Sequence, residues 1–221
     1  MTFSLVASDD LGQFGVVISS SSPAVGARCL ALQDRVGAVS TQNVTDPRLG
    51  SAVLDLLATG FSAREAIDAL VDSDHTSPFR QLIAVDSFGN TAVHSGIHCL
   101  GVVGSATKDG VAAAGNLLAA EDVPSAMISA FEAANGSLEE RLLAALWGGL
   151  DAGGEEGTVH SAALSVVGRV GWRVTDLRVD WNQEPVQRMS ELVELWLPQR
   201  DEYIQRGVNP SSAPPHKSDE Q

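Results

Sequence analysis

Positive charge is what this chain has least of. Lysine occurs only at Lys108 and Lys217, and 14 basic residues face 28 acidic ones, for a net charge of −14. Nucleic acid and anionic membrane surfaces are bound mainly through Lys and Arg, so neither is an expected partner. Aromatic residues make up only 5%, which predicts a core packed from small aliphatic side chains. No apolar run approaches the ~18 residues of a membrane span. The first residues lack a cationic region, and Asp9-Asp10 interrupts their apolar run early. Neither a secretory signal nor a membrane helix is expected, and the localisation read from this is cytoplasmic. Cysteine is confined to Cys29 and Cys99, outside any CxxC pattern. Reduced, buried thiols are expected there rather than a disulfide or a nucleophile. There is no GxGxxG, Walker loop, GxSxG or HExxH, so no cofactor is implied. His94 and His98 have the spacing of a helical metal pair, but Gly96 and strand-like surroundings oppose a helix, and no third ligand follows. No metal is expected.

What the chain does have is aliphatic residues in ordered blocks. Its 221 residues, 44% hydrophobic, suit one domain over 1–206, followed by a Ser-, Pro- and charge-rich tail over 207–221 expected to be disordered. Strands are predicted at Phe3 to Ala7, Phe14 to Ser19 and Val36 to Gln42. Two helices follow, one opened by Asp46-Pro47 and one by the capping box of Ser62 and Glu65. Strands return at Arg80 to Val85 and Thr91 to His94, joined by the turn Asp86 to Asn90. Another pair spans Val102 to Thr107 and Val111 to Gly115. A second helix pair starts at Pro124 and at the capping box of Ser137 and Glu140. The last strands are Ser161 to Val167 and Trp172 to Val179, and a closing helix runs from Pro185 to Leu197, bent or ended at Pro198. Strand runs alternating with helix pairs argue against βαβ crossovers. They favour an α+β fold, a four-layer αββα sandwich of mainly antiparallel sheets. Helix faces carrying Trp147 and Trp196 suit a homodimer.

Thr2 is the residue with most chemical promise. Threonine is small enough for an aminopeptidase to remove Met1, which would place a hydroxyl and a free α-amine on one residue. The amine titrates near 8 and can take the hydroxyl's proton. Thr2 also reads as an ordinary strand residue, since many chains begin Met-Thr. Polar residues cluster at strand ends: Ser40 to Asn43, Arg80-Gln81, His94 to Cys99, Gly115-Asn116 and Gly153 to Ser161. Each suits a pocket lining or a simple cap. Asp9-Asp10 and Glu155-Glu156 read as solvated charge pairs. A hydrolase centred on His94, independent of Thr2, is a further option.

With these residues in view, the chain resembles the DUF1028 family, of unknown function and related to the N-terminal nucleophile hydrolases. The matching stretches run from Met1 to Ala7, Phe14 to Ser20, Ala24 to Ala27 and Val36 to Gln42. They continue through Arg80-Gln81, His94-x-Gly96-x-x-Cys99, Gly115 to Leu118, Ser161 to Leu164 and Asp176 to Asp180. The resemblance implies the same sandwich and an amidohydrolase acting on a small-molecule amide through Thr2. Asn116 or Gln42, with backbone N–H groups, would stabilise the oxyanion. Ser20, Arg80 and His94 would contact substrate, Arg80 by holding a carboxylate. The chain departs from the family's Gly-Gly-Asp-Arg-Arg-Gly at Gly153-Gly154-Glu155-Glu156-Gly157, which implies a less anionic substrate if that loop contacts it. The region of Ser20 to Ser22 and Arg28 has no lysine. The alternative on the same scaffold is a non-catalytic binding or structural protein.

Overall fold

The computed structural model describes residues 2–213. The chain opens with an antiparallel hairpin, β1 (Thr2–Ser8) and β2 (Phe14–Ser20). Then come a single helical turn, α1 (Gly26–Cys29), and the strands β3 (Leu30–Gln33) and β4 (Gly37–Asn43). Helices α2 (Pro47–Ala58) and α3 (Ala63–Ser73) lead to β5 (Arg80–Asp86) and β6 (Thr91–Ser95). Strands β7 (Gly104–Lys108) and β8 (Val111–Asn116) precede α4 (Val123–Ala133) and α5 (Leu138–Asp151). β9 (Ser161–Val167), β10 (Arg173–Val179) and α6 (Pro185–Val208) complete the domain.

The strands form two antiparallel sheets, one ordered β10-β9-β2-β1-β8-β7 and the other β3-β4-β5-β6. Three apolar clusters explain how they stack. Strand residues alternate between faces, so Phe3, Leu5 and Ala7 of β1 pack with Met127, Leu142 and Met189 from α4, α5 and α6. Val6 and Ala114 face the other way and meet Ala38, Ile83 and Val85 of the smaller sheet. The outer face of that sheet, with Val39, Leu82 and Ala84, packs on Val53, Ile67 and Leu70 of α2 and α3. The result is an α+β sandwich with its core spread over three interfaces. Small residues permit the close layers: a Cβ at Gly149 of α5 would lie 2.8 Å from Met127 and 3.1 Å from the Phe3 ring. No helix among the described residues is long and apolar enough to cross a membrane.

The local signals act where they were expected. Ser62 accepts from the Glu65 N–H while the Glu65 carboxylate accepts from the Ser62 N–H, and Ser137 and Glu140 repeat the arrangement. Gly89 takes φ +81° in the turn between β5 and β6. Replacing Ser62 by Ala removes one cap from an exposed helix start. It should lower stability by about 1 kcal/mol, read as a shift of the urea midpoint with an unchanged slope.

Three features differ from expectation. α1 and β3 occupy a stretch for which the sequence predicts no element. α6 continues through Pro198 to Val208. A mid-helix proline costs about 3 kcal/mol, and contacts on both sides of it hold the helix together. The Trp196 indole N–H donates to Thr175 Oγ1 at 2.9 Å, and Arg200 Nη1 donates to both Glu139 oxygens at 3.0 and 2.9 Å. Trp147 likewise donates to Ser190 at 3.0 Å. The two tryptophans that suggested a self-association face are thus half-buried and bonded within the chain. Of the expected tail, 214–221 lies outside the described residues, as does Met1.

Candidate functional site

Thr2 begins β1, and the register of its two neighbours builds a polar cluster around it. Asn116 of β8 is its direct partner. On the other side Phe3 pairs with Ser19, so Thr2 comes opposite Ser20. Residues directly opposite in antiparallel strands share a face, here the one turned toward the smaller sheet. Thr2 Oγ1 lies 3.3 Å from Ser20 Oγ, which also accepts the Ser22 N–H at 3.1 Å. Thr2 is 6% exposed, and Asn116 is fully buried.

A chain of buried amides runs beneath this pair and joins the two sheets. Ser4 Oγ donates to Gln42 Oε1 at 2.7 Å. Gln42 Nε2 donates to Gln81 Oε1 at 2.7 Å and to the Ala114 carbonyl at 3.0 Å. Gln81 Nε2 donates to Ser95 Oγ at 2.9 Å and to the Gly115 carbonyl at 3.0 Å. Asn116 Nδ2 adds a donation to Gln81 Oε1 at 3.1 Å. Both Gln42 amide hydrogens are therefore engaged, which leaves it no donor for an oxyanion while the network stands. Gln42 positions the sheets instead. Asn116 retains a buried Oδ1 with no hydrogen-bond partner among the described residues.

Glu155 enters from the loop after α5. Gly153 and Gly154 adopt φ +109° and +59°, a left-handed pair that folds the loop back onto the end of β8. There Glu155 forms an antiparallel bridge with Leu118, and the Glu156 N–H donates to the Leu117 carbonyl at 2.9 Å. The Glu155 carboxylate accepts the Ser21 N–H at 3.0 and 3.2 Å from its two oxygens and is 4% exposed. Burial pushes it up to about 7, against the opposing pull of the positive amino terminus and of the Ser21 hydrogen bond. The solvated pair read from the sequence is thus divided: Glu156 is exposed, whereas Glu155 is inside.

Arg80 and His94 are placed elsewhere. Gln81 points between the sheets, so its neighbour Arg80 points to the opposite face. The Arg80 guanidinium donates to Thr76 Oγ1 at 3.3 and 3.0 Å and to the Val44 carbonyl. It lines a separate cavity of about 370 Å³ with Asp46, Asp74 and His75. His94 pairs with Leu82, whose side chain lies in the α2–α3 core, and its Nε2 is 3.0 Å from the Ser77 carbonyl. Neither side chain joins Thr2. Among the described residues no group of three His, Cys, Asp or Glu could hold a metal ion. Cys29 and Cys99 are free thiols, and burial pushes both up.

The model of DUF1028, a family of unknown function, matches residues 2–189. The chain belongs to the DUF1028 family. It is also similar to a DUF1028 protein from Silicibacter pomeroyi known from a crystal structure, with a TM-score of 0.82 and 30% identity over 88% of each chain. Anbu, an ancestral β-subunit from Yersinia bercovieri, reaches a TM-score of 0.39 at 9% identity, covering 89% of this chain and 97% of its own. That likeness is too slight to build on. No curated protein matches the chain.

Two members of this DUF1028 cluster were hidden in the sequence. Gln81 lies in a strand buried on both faces, where no alternation marks which side chain turns inward. Glu155 follows two glycines, but its burial depends on Ser21, far away along the chain.

Proposed function

We propose that this DUF1028 protein is a cytoplasmic amidohydrolase that cleaves a C–N bond of a small molecule with Thr2 as an N-terminal nucleophile. The observation that carries the proposal is the buried Thr2–Ser20 hydroxyl pair, at a strand end where both sheets bring their polar residues together. The α+β sandwich of two antiparallel sheets with helices packed on them supports the reading without deciding it.

Removal of Met1 frees the Thr2 α-amine. The amine takes the proton from Oγ1 as that oxygen attacks the amide carbonyl. Backbone N–H groups and the remaining Asn116 amide hydrogen receive the oxyanion. The C–N bond breaks as the amine returns the proton to the leaving nitrogen, leaving an ester on Oγ1. Water, deprotonated by the same amine, then releases the acid and restores Thr2. Ser20 orients the hydroxyl. Arg80 and His94 have no part in these steps.

One observation favours the second reading, a non-catalytic binding or structural protein: Thr2 is almost wholly buried and fully in strand register. Treatment with an activated acyl ester separates the two. An oxygen ester on Thr2, released by hydroxylamine and located by peptide mass spectrometry, is expected of the nucleophile. A Thr2 that stays unmodified while the lysines react would contradict it.

A further inference from the structure

Glu155 ties together the ends of the two strands that flank the start of β1. Continued one step beyond Thr2, the register of β1 falls on Ser21 on one side and Leu117 on the other. Leu117 has φ +49°, a left-handed conformation rare for a branched residue, and it turns the chain away from the sheet. Glu155 reaches from one of these strand ends to the other. Its loop is hydrogen-bonded to the Leu117 carbonyl through Glu156, and its carboxylate receives the Ser21 N–H. The unpartnered Asn116 Oδ1 belongs to the same end of β8. A strand that begins at Thr2 directs its backbone nitrogen between these two strand ends, toward the Glu155 carboxylate and Asn116 Oδ1.

We propose that Glu155 is the positioning residue for the Thr2 α-amine: its carboxylate accepts a hydrogen bond from the ammonium and, with Asn116 Oδ1, holds the nitrogen beside Oγ1. This rests on the N-terminal nucleophile reading. A buried carboxylate without a cation is costly, and among the described residues the neighbouring side chains bring none to it. The end of β2 carries Ser20, Ser21 and Ser22, and the end of β8 carries Asn116, Leu117 and Leu118. Arg28 of α1 is bonded to the Pro23 and Ala24 carbonyls. Asp151, Glu156, Glu121 and Asp122 are exposed anions, and the His160 ring stacks on Trp181. Removal of Met1 places the amino-terminal charge on the Thr2 nitrogen, and that ammonium is the cation this carboxylate would pair with.

The test is the pKa of the amine, read from the pH dependence of its reaction with dinitrofluorobenzene and quantified on the N-terminal peptide. Intact mass is measured first. With Met1 absent, Glu155→Gln should lower the pKa of the amine by about one unit or more, because a charge that favours the ammonium has been removed. An equal pKa in a folded Glu155→Gln protein overturns the role of Glu155 and leaves Thr2 as nucleophile untouched. Retention of Met1 in the wild type overturns both. If Glu155→Gln does not fold, Glu155→Asp retains the charge but withdraws it by one methylene. It should give a smaller decrease, and no change there overturns the proposal.

Discussion

Thr2→Ala should fold like the wild type and lose turnover by a factor on the order of 10⁴ to 10⁶. The variant keeps the α-amine and the strand register, and it removes only the attacking oxygen and one methyl group. Losing the 3.3 Å contact with Ser20 costs no more than about 1 kcal/mol, so stability and activity separate cleanly. Thr2→Ser retains hydroxyl and amine and should keep measurable turnover. The assay is hydrolysis of a panel of small linear and cyclic amides, with thermal unfolding run alongside. Thr2→Ala turning over any of them at the wild-type rate would move the chemistry away from the amino terminus.

Gln81→Leu should be the most damaging single change to the sheet packing. Gln81 is fully buried, accepts from Gln42 and Asn116, and donates to Ser95 and the Gly115 carbonyl. A leucine of similar size leaves these buried groups without their partner. Each orphaned group costs about 1–3 kcal/mol, and some relaxation is expected. The expected loss is on the order of 3–5 kcal/mol, read from urea unfolding. A change within 1 kcal/mol would show that the network is not what joins the sheets. Gln42→Leu removes fewer bonds and should cost less.

How much of this was legible depends on the range of each signal. Ser62 with Glu65 and Ser137 with Glu140 lie three residues apart, so both helix starts could be read directly. Asp86 to Asn90 announced its turn by the same local logic. α1 and β3 were missed because a single turn and a four-residue, half-buried strand leave no periodic pattern. Pro198 misled because the contacts that hold α6 together, from Trp196 and Arg200, come from β10 and α5. The site divides in the same way. Thr2, Ser20 and Asn116 end strands that were recognised, and antiparallel pairing was enough to bring them together. Arg80 and His94 group with them in the sequence because polar residues at strand ends do not announce which face of the sheet each one takes. Glu155 reads as solvated because its partner, Ser21, lies far away along the chain and meets it only in the fold.

The central claim is that Thr2 is the working amino terminus. Intact-protein mass spectrometry of the protein freshly purified from its native source tests it most directly. The expected mass is that of a chain one methionine shorter, with Thr2 first. A chain that still carries Met1 would contradict the mechanism, because the base it requires would be an amide nitrogen.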